Sequence, residues 1–418
     1  MVYKLITMKN LVILGAGTAG TMMANHMVSK LPKKEWKISI IDQYKTHYYQ
    51  PGFLFLPFDT YTEDQVKKVG KKFIPKGVAY HQQKIEKIDA ENNLVVLENE
   101  VLTYDLLIIA TGSKIAPQEV DGMHSKEWHK SIFDFYTYEG ALALRNKLRT
   151  FKEGKLVVHI TEMPIKCPVA PLEFAFLADD YFQKKGIRDK VDITYVTPLS
   201  GAFTKEFTSK TLGYLLEDKN IKIVTDFAIE KVDFENNKII DYADTEVDYD
   251  LLVTVPTNMG DEVIEKSGLG DDLNFVPTHP NTLQSLAYEN IFVIGDATNV
   301  PASKAGSVAH FQAETLTDNI LLYLKNKPLK EEFDGHANYF IETGKNKALL
   351  IDFNYEQEPV TGTFPIAGIG PLKLLNESVF NHWGKLAFRW IYWNVLLKGI
   401  PIPFVSRNMK TAGKNINN

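Results

Sequence analysis

The 418-residue sequence predicts an α/β fold in which two Rossmann-like units, the second inserted in the first, precede an amphipathic C-terminal region. A short apolar run at 11–14 leads into a glycine-rich turn and a helix, which is how a nucleotide-binding βαβ unit begins. A similar apolar strand then occurs twice, far apart in the chain, as DLLIIA at 105–110 and DLLVTV at 250–255. Each of these strands completes one unit. An aromatic-rich stretch at 378–399 predicts the C-terminal region.

Four segments follow from this layout, since a chain of this length exceeds what one hydrophobic core usually holds. The first nucleotide-binding unit is expected over 1–113, and its return strand and helix over 276–330. The inserted unit is expected over 114–275. A C-terminal strand and an amphipathic helical region, suited to a membrane surface, are expected over 331–418.

Composition and charge exclude several function classes. Lysine and arginine number 47 against 52 acidic residues, so the net charge is −5 and no basic excess exists to hold a phosphate backbone. Nucleic acid is therefore not an expected partner. The single cysteine, Cys167, excludes an intramolecular disulfide framework and a cysteine-based metal centre within one chain. No cluster of His, Asp and Glu has metal-ligand spacing, so no metal site is expected.

The sequence shows no targeting or membrane-spanning segment. The N-terminus reaches its first strand within about ten residues and lacks the features of a signal peptide. No run of about 18 uncharged apolar residues occurs, so a spanning helix is not expected. Because tryptophan and tyrosine stand beside lysine and arginine in the stretch at 378–399, which suits a membrane interface, we expect a peripheral, monotopic membrane protein on the cytoplasmic side.

The first glycine-rich turn has a clear physical logic. Gly15 allows the tight turn after the strand, Gly17 lets the backbone approach a pyrophosphate, and Gly20 lets the helix pack against the strand. The helix N-terminus offers free N–H groups and a positive dipole end to the phosphates. Asp42 ends the second strand and is placed to bond a ribose. The pattern predicts dinucleotide binding, against the plainer interpretation of a glycine-rich turn and a solvated Asp42.

Two later segments decide which dinucleotide is expected. YDLLIIATG at 104–112 and NIFVIGDA at 290–297 resemble the second and third signatures of two-dinucleotide-fold flavoproteins. The resemblance implies FAD, with Asp296 bonding the ribityl chain and the helix that opens at Gly306 directed at the flavin ring. A positive helix end there would favour the anionic reduced flavin. The small-residue turns of these segments complete the expected cofactor site with Thr111, Gly112 and Gly295.

The inserted unit lacks the corresponding glycine motif. Its first strand, at 155–160, is followed by Thr161, Glu162, Met163 and Pro164. Side chains at these positions would block the close approach of a pyrophosphate. A second nucleotide site is therefore predicted to be absent, and the reducing equivalents are expected to come from a small substrate.

A specific resemblance appears just after that strand. KCPVAPLEF at 166–174 resembles the cysteine segment of the sulfide:quinone oxidoreductases, membrane-associated relatives of the flavin disulfide reductases. The resemblance covers nearly the whole chain, through YYQPGF at 48–53, PLSGAFT at 198–204, SKAGSVAHFQAE at 303–314 and the aromatic C-terminal helix. It implies FAD-dependent oxidation of sulfide, or of a related small sulfur compound, coupled to quinone reduction at a membrane surface. A homo-oligomer is also expected.

The resemblance also implies roles for individual residues. Cys167 would face the flavin and carry substrate sulfur as a persulfide, and Glu173 would move protons from sulfide. Lys166 is expected to lower the pKa of the neighbouring thiol, since the thiolate is the reactive form. Pro51 and Gly52 would lie near the flavin ring, and the C-terminal aromatic residues would line the path of the quinone.

Plainer interpretations of these residues remain open. A lone cysteine is most often a small buried hydrophobic residue. Glu173 also suits the first turn of a helix, where the dipole favours an acid. The apolar face of the C-terminal helix could pack against the body of the protein or a second subunit instead of lying in a membrane interface.

The chain departs from the family in its cysteines. Sulfide:quinone oxidoreductases usually use two cysteines, and the partner is expected at the start of the strand at 339–344, where this chain has Tyr339. The segment around Trp128 and His129, where some members have another, contains none. Cys167 could act as the sole sulfur carrier, or the substrate could be another small reductant. The alternatives are an NAD(P)H:quinone oxidoreductase and a non-catalytic flavin-binding relative.

Overall fold

Two parallel sheets of five strands each form the centre of the molecule. The computed structural model describes residues 8–366, 368–402, 405–411 and 414–415. The first sheet contains, from edge to edge, Ile291–Val293, Leu106–Ile109, Lys9–Leu14, Trp36–Ile41 and Val78–His81. The second sheet contains, in the same sense, Ile132–Phe133, Leu251–Val255, Gly154–Ile160, Val191–Val196 and Lys222–Val224.

The two sheets share one layout. In each sheet the first strand of the βαβ unit lies at the centre. The strand with the DLL pattern in the same sheet pairs with it in parallel. A three-stranded antiparallel sheet precedes each of these two strands in the chain; the first comprises Ile85–Asp89, Leu94–Leu97 and Val101–Thr103, and the second Ile229–Asp233, Lys238–Asp241 and Glu246–Asp248.

The chain returns to the first sheet after completing the second. Ile291–Val293 pairs in parallel with Leu106–Ile109, so the second unit is inserted in the first as the sequence predicts. The α/β fold of two Rossmann-like units is confirmed, while the precise domain boundaries stay predictions. Two short strand pairs accompany the sheets, Thr46–Tyr48 with Lys67–Val69, and Ser113–Ile115 with Asn258–Gly260.

Helices cover both sheets, which is why the central strands are largely apolar and buried. The α-helices are Thr18–Lys30, Glu63–Val66, Tyr138–Thr150, Ala170–Lys184, Glu206–Asp218, Glu262–Lys266, Gly306–Tyr323 and Val379–Asn394. Short 3₁₀ segments lie at Gln50–Phe55, Gly70–Phe73, Pro117–Glu119, Arg188–Lys190, Gly295–Ala297 and Leu396–Lys398. One apolar core joins both units to the C-terminal region, as Leu11, Leu156 and Ile341 illustrate.

The C-terminal region consists of a four-stranded sheet and the helix Val379–Asn394, hereafter the C-terminal helix. The strands are, in order across the sheet, Ala337–Gly344, Lys347–Phe353, Leu372–Leu374 and Gly362–Phe364. Asn381 anchors the helix because its fully buried amide accepts from the Lys373 N–H at 3.0 Å and donates to the Ala348 carbonyl at 3.0 Å.

The C-terminal helix turns its polar stripe inward and its aromatic side outward. Phe380, Trp383 and Trp390 are 55%, 58% and 64% exposed and form what we call the aromatic face. Asn381, Lys385 and Arg389 recur at every fourth position of the sequence and form the polar stripe, which instead faces the body of the protein. No helix in the described ranges combines the length and the hydropathy needed to cross a bilayer.

Candidate active site

The three glycines of the first turn are required for three different reasons. Gly15 has φ of +94°, and a Cβ there would lie 2.4 Å from the Ala110 carbonyl oxygen. A Cβ on Gly20 would lie 1.9 Å from the Gly15 carbonyl oxygen, so the helix could not approach the strand. A Cβ on Gly17 would meet nothing within 4 Å. Packing explains the first two glycines, whereas the open space at Gly17 is where a ligand would approach the backbone.

Asp42 is directed at the same turn. Its Oδ2 accepts from the Ala16 N–H at 2.7 Å and its Oδ1 from the Tyr44 N–H at 2.8 Å. Burial raises the pKa of Asp42, and these two N–H donors oppose that shift. The helix Thr18–Lys30 begins without a side-chain cap and without an acid in its first turn. Its first N–H groups are therefore available to an anion.

The second and third signatures lie at the same carboxyl edge of the first sheet. Thr111 Oγ1 is buried and has no hydrogen-bond partner. Gly112 has φ of +73° and open space where a Cβ would be. Gly295 has φ of +70°, and Asp296 Oδ2 accepts from the Ser113 hydroxyl at 3.4 Å. An unpartnered buried hydroxyl beside open backbone is what a polar ligand would satisfy.

The helix Gly306–Tyr323 resembles the first helix in how it begins. It has no side-chain cap and no acid in its first turn, and a Cβ on Gly306 would meet nothing within 4 Å. Two uncapped helix ends, the open glycines and the buried Thr111 hydroxyl together fit an anionic dinucleotide. These residues therefore could hold a flavin dinucleotide.

The Pro51–Gly52 segment lies beside the cysteine segment. It belongs to the 3₁₀ turn Gln50–Phe55, and Gln50 Oε1 accepts from Lys166 Nζ at 3.4 Å. A Cβ on Gly52 would lie 2.5 Å from Val66 Cγ1, so packing alone requires a glycine there. Whether either residue touches the cofactor stays a prediction.

Cys167 lies in the long turn between the first strand and the first helix of the inserted unit. Its backbone has φ of +46°, a left-handed conformation that is costly for a residue with a side chain. Its N–H donates to the Lys304 carbonyl at 2.8 Å, and the Tyr136 hydroxyl donates to the Lys166 carbonyl at 2.7 Å. Both units therefore contribute bonds that fix the position of the cysteine.

The charges around Cys167 differ from those that the sequence suggests. Burial raises the pKa of Cys167 to about 12, the carboxylate of Glu173 adds to the rise, and Lys385 opposes it. Lys166 does not lower the pKa as predicted, because its ammonium donates to the Ser113 carbonyl at 3.2 Å and to Gln50. The cation that favours the thiolate is Lys385, which comes from the C-terminal helix.

Glu173 is fully buried in the first turn of the helix Ala170–Lys184. Its Oε1 accepts from the Glu342 N–H at 2.8 Å and from Lys385 Nζ at 2.7 Å. Its Oε2 is buried and has no hydrogen-bond partner. Burial raises the pKa of Glu173, and the charge of Lys385 opposes the shift. An unpartnered carboxylate oxygen close to the partly buried Cys167 thiol is well placed to accept a proton.

Two residues of the C-terminal helix belong to the site although the sequence analysis did not assign them to it. Lys385 also donates to the Phe340 carbonyl at 2.9 Å, and His382 Nδ1 lies 2.9 Å from Oε2 of the buried Glu342. Burial lowers the pKa of Lys385, but Glu173, Cys167 and Glu342 together outweigh this effect, so the pKa is raised overall. In the sequence, the signal for these residues was the polar side chain at every fourth position of the C-terminal helix. Such a repeat marks one face of a helix, but it does not show whether that face contacts the protein or the solvent.

Tyr339 occupies the position at which a second cysteine is expected. Its hydroxyl lies 3.1 Å from Ser303 Oγ, and its pKa is raised by burial, with further contributions from Cys167 and Glu173. Tyr339 therefore belongs to the same group of interacting side chains as Cys167. A phenol cannot carry sulfur as a thiol does.

In the inserted unit, the turn after the strand Gly154–Ile160 has no glycine, and side chains fill the space around it. Glu162 Oε1 accepts from the Thr257 hydroxyl at 2.5 Å, and Thr161 is buried. These contacts lie where a pyrophosphate would bind in a nucleotide-binding unit. Among the residues that the structure describes, no group of three or more His, Cys, Asp or Glu side chains is placed to hold a metal ion.

Comparisons with known proteins place this arrangement in a family. Residues 9–313 match the pyridine nucleotide-disulphide oxidoreductase family. The chain is 27% identical over 405 residues to the mitochondrial sulfide:quinone oxidoreductase of Dictyostelium discoideum, which covers 95% of this chain and 87% of that protein. It is 25% identical over 395 residues to the mitochondrial sulfide:quinone oxidoreductase of Mus musculus, covering 93% and 86%.

A solved structure gives the same result for the fold. The sulfide:quinone oxidoreductase of the hyperthermophilic bacterium Aquifex aeolicus has a TM-score of 0.76 and 22% identity, covering 94% of this chain and 92% of that one. The resemblance inferred from KCPVAPLEF and the flavin signatures is thus confirmed. A flavin cofactor follows from these comparisons, and the chain belongs to the pyridine nucleotide-disulphide oxidoreductase family.

Proposed function

We propose that this protein is an FAD enzyme that oxidises sulfide, or a related small sulfur compound, and reduces a quinone at a membrane surface. The observation that carries the proposal is the group of Cys167, Glu173 and Lys385, in which the carboxyl is fully buried and the cysteine is partly buried. Cys167 lies in the turn that would bind a second dinucleotide in a nicotinamide-dependent relative. Similarity to named sulfide:quinone oxidoreductases over most of the chain supports the same conclusion.

The residues of the site suit the oxidation of sulfide at Cys167. Hydrosulfide and the Cys167 thiol together give a Cys167 persulfide, one proton and two electrons. Bound flavin supplies the two-electron acceptor. Because burial keeps the thiol protonated, its proton must be removed first, and Glu173 Oε2 is the unpartnered base nearby. Lys385 stabilises the negative charge that develops on either group.

Release of the sulfur has to use an external acceptor. Cys167 is the only cysteine of the chain, so no second thiol of the same chain can attack the persulfide. An external thiolate or a second hydrosulfide would attack the outer sulfur and leave the Cys167 thiolate. The acceptor keeps the transferred sulfur, and Cys167 is ready for another turnover.

The aromatic face supplies the proposed membrane contact and the route for the quinone. Tryptophan and phenylalanine side chains exposed along one side of an amphipathic helix suit a membrane interface. We propose a peripheral location on the cytoplasmic side, where the quinone would take up the two electrons together with two protons. Association of two or more copies is proposed as compatible with this location.

Anaerobic titration of the purified holoprotein tests the function. Sulfide should bleach the flavin absorbance at about 450 nm, and a short-chain quinone should restore it. NADH and NADPH should leave the absorbance unchanged, because Glu162 and Thr161 fill the place of a pyrophosphate. Rapid bleaching by either nucleotide would instead identify an NAD(P)H:quinone oxidoreductase. A flavin that reacts with none of these would identify a non-catalytic relative.

A further inference from the structure

A cluster of unpaired lysines lies next to the end of the C-terminal helix. The segment 67–76 contains five lysines and no acid, although the whole chain has a net charge of −5. Lys68, Lys71 and Lys72 are exposed, as is Lys398 just beyond the helix. We call these four residues the basic collar. None of them forms an ion pair with any residue in the described ranges.

Packing contacts join the basic collar to the C-terminal helix. The ammonium of Lys68 lies 4.6 Å from the centre of the Trp393 ring, and the Phe73 ring stacks on the same indole at 5.2 Å. Asn25 Nδ2 donates to the Phe73 carbonyl at 3.2 Å and to the Leu397 carbonyl at 3.0 Å. These contacts place the lysine-rich segment against the end of the C-terminal helix, which also carries Trp390 of the aromatic face.

The electrostatics of this surface indicate the charge of its partner. Burial lowers the pKa of Lys68, and the positive charges of Arg389 and Lys72 lower it further. Glu63, an acid close by in sequence, is already bonded to Lys67 and Arg145. Cations that crowd together without counter-ions are stabilised when an anionic surface supplies the missing charge.

We propose that the basic collar and the aromatic face form one docking surface for a bilayer that contains anionic phospholipids. The inference rests on the membrane contact of the proposed function and adds the charge of the lipid. The aromatic side chains enter the interface of any bilayer, whereas the lysines bind anionic headgroups. This combination of apolar area and basic residues is typical of helices that lie on anionic membranes.

Flotation of the full-length holoprotein with vesicles tests the proposal. We expect tighter binding to phosphatidylcholine vesicles that contain phosphatidylglycerol than to phosphatidylcholine alone, and the preference should vanish at high salt. The triple variant Lys68→Gln, Lys71→Gln and Lys72→Gln should lose this preference. Each lysine near an anionic surface contributes about fivefold in affinity, so the loss should be on the order of 100-fold for three.

Matched variants separate the two parts of the surface. Lys130, Lys152 and Lys190 are exposed lysines of the inserted unit that form no ion pair within the described ranges, so their triple change to Gln should leave binding unchanged. The double variant Trp383→Ser and Trp390→Ser should lose binding to both kinds of vesicle.

Two results would overturn the proposal. One is equal binding of the wild-type protein to neutral and anionic vesicles, or a collar variant that keeps the wild-type preference for anionic vesicles. The other is self-association through the aromatic face without vesicle binding, measured by sedimentation. Reduction of a water-soluble quinone by sulfide, assayed without vesicles in the same preparations, should be unchanged in the collar variant. If that reaction is absent while the preference for anionic vesicles holds, the proposed enzymatic function is wrong and the proposed lipid-binding surface still stands.

Discussion

The first βα turns of the two Rossmann-like units occupy equivalent places in their sheets and differ in length and composition. In the first unit, residues 15–17 separate the strand Lys9–Leu14 from its helix. In the inserted unit, residues 161–169 separate the strand Gly154–Ile160 from its helix. The short turn has glycines and bare backbone, and the long turn has Glu162 and Cys167.

This difference shows how one topology serves two kinds of chemistry. A short glycine turn places the helix N-terminus directly beyond the strand, where a phosphate can meet the free N–H groups. The longer turn fills that space with side chains and moves the helix N-terminus away. The additional residues include Cys167, whose pKa is influenced by the buried carboxylate of Glu173. Under the proposed function, the inserted unit presents a sulfur carrier where the first unit presents a cofactor site.

The largest effect that we expect comes from placing a charge in the short turn. Gly17→Asp should give folded protein without flavin, because the open space at Gly17 would hold a carboxylate opposite a pyrophosphate. Such like-charge contacts cost several kcal/mol. The ratio of flavin to protein absorbance after gel filtration measures the loss. Gly213→Asp, which has equally open space on another helix, is the control. A yellow Gly17→Asp protein would refute the cofactor assignment.

The next largest effect should come from the long turn. Cys167→Ser should keep its flavin and lose sulfide-dependent quinone reduction by at least about 1,000-fold, since a hydroxyl is a poor nucleophile and cannot form a persulfide. Steady-state rates and flavin content, measured on the same preparation, separate the two effects. Substantial remaining activity would show that sulfide reacts with the flavin without the cysteine.

A smaller effect tests the carboxylate that the long turn brings close to Cys167. Glu173→Gln removes the negative charge that raises the thiol pKa, so alkylation of Cys167 by iodoacetamide at a fixed pH should quicken about tenfold. In the wild-type protein the alkylation rate should keep rising with pH up to the thiol pKa of about 12, because only the thiolate reacts.

Turnover should change in the opposite direction from alkylation. Glu173→Gln should slow sulfide oxidation, because the proposed proton acceptor is gone. Lys166→Met is the matched control and should leave the alkylation profile unchanged, since its ammonium is bonded to Ser113 and Gln50. If Glu173→Gln alters neither rate, the carboxyl group has only a structural role.

Sequence reasoning succeeded where local pattern decides the structure. The tight turn at Gly15 and the helix contact at Gly20 depend on neighbouring residues, so glycine spacing is a direct signal. The repeated DLL strands likewise locate both sheets. Long-range partners could not be predicted in the same way. The polar repeat of the C-terminal helix was visible, but its inward direction depends on partners distant in the chain, such as Glu173 for Lys385 and Ala348 for Asn381.

The same limit applies to the charge on Cys167. Lys166 is its neighbour in sequence, yet the direction of a side chain depends on the fold around it. Lys385 lies far away in the chain and contacts Glu173 because the C-terminal helix packs beside the cysteine segment. Burial, which raises the pKa of Cys167, is also a property of the whole fold.

The smallest expected effect concerns Tyr339, which stands where the sequence resemblance leads us to expect a second cysteine. Tyr339→Phe removes the hydroxyl and its bond to Ser303, so the free energy of unfolding should fall by about 1 kcal/mol. Sulfide-dependent turnover should stay within about twofold, because the persulfide on Cys167 is released to an external acceptor and the phenol takes no part. Denaturant unfolding and steady-state rates measure the two quantities. A tenfold or greater fall in turnover without loss of flavin would instead show that the Tyr339 hydroxyl transfers a proton in the reaction.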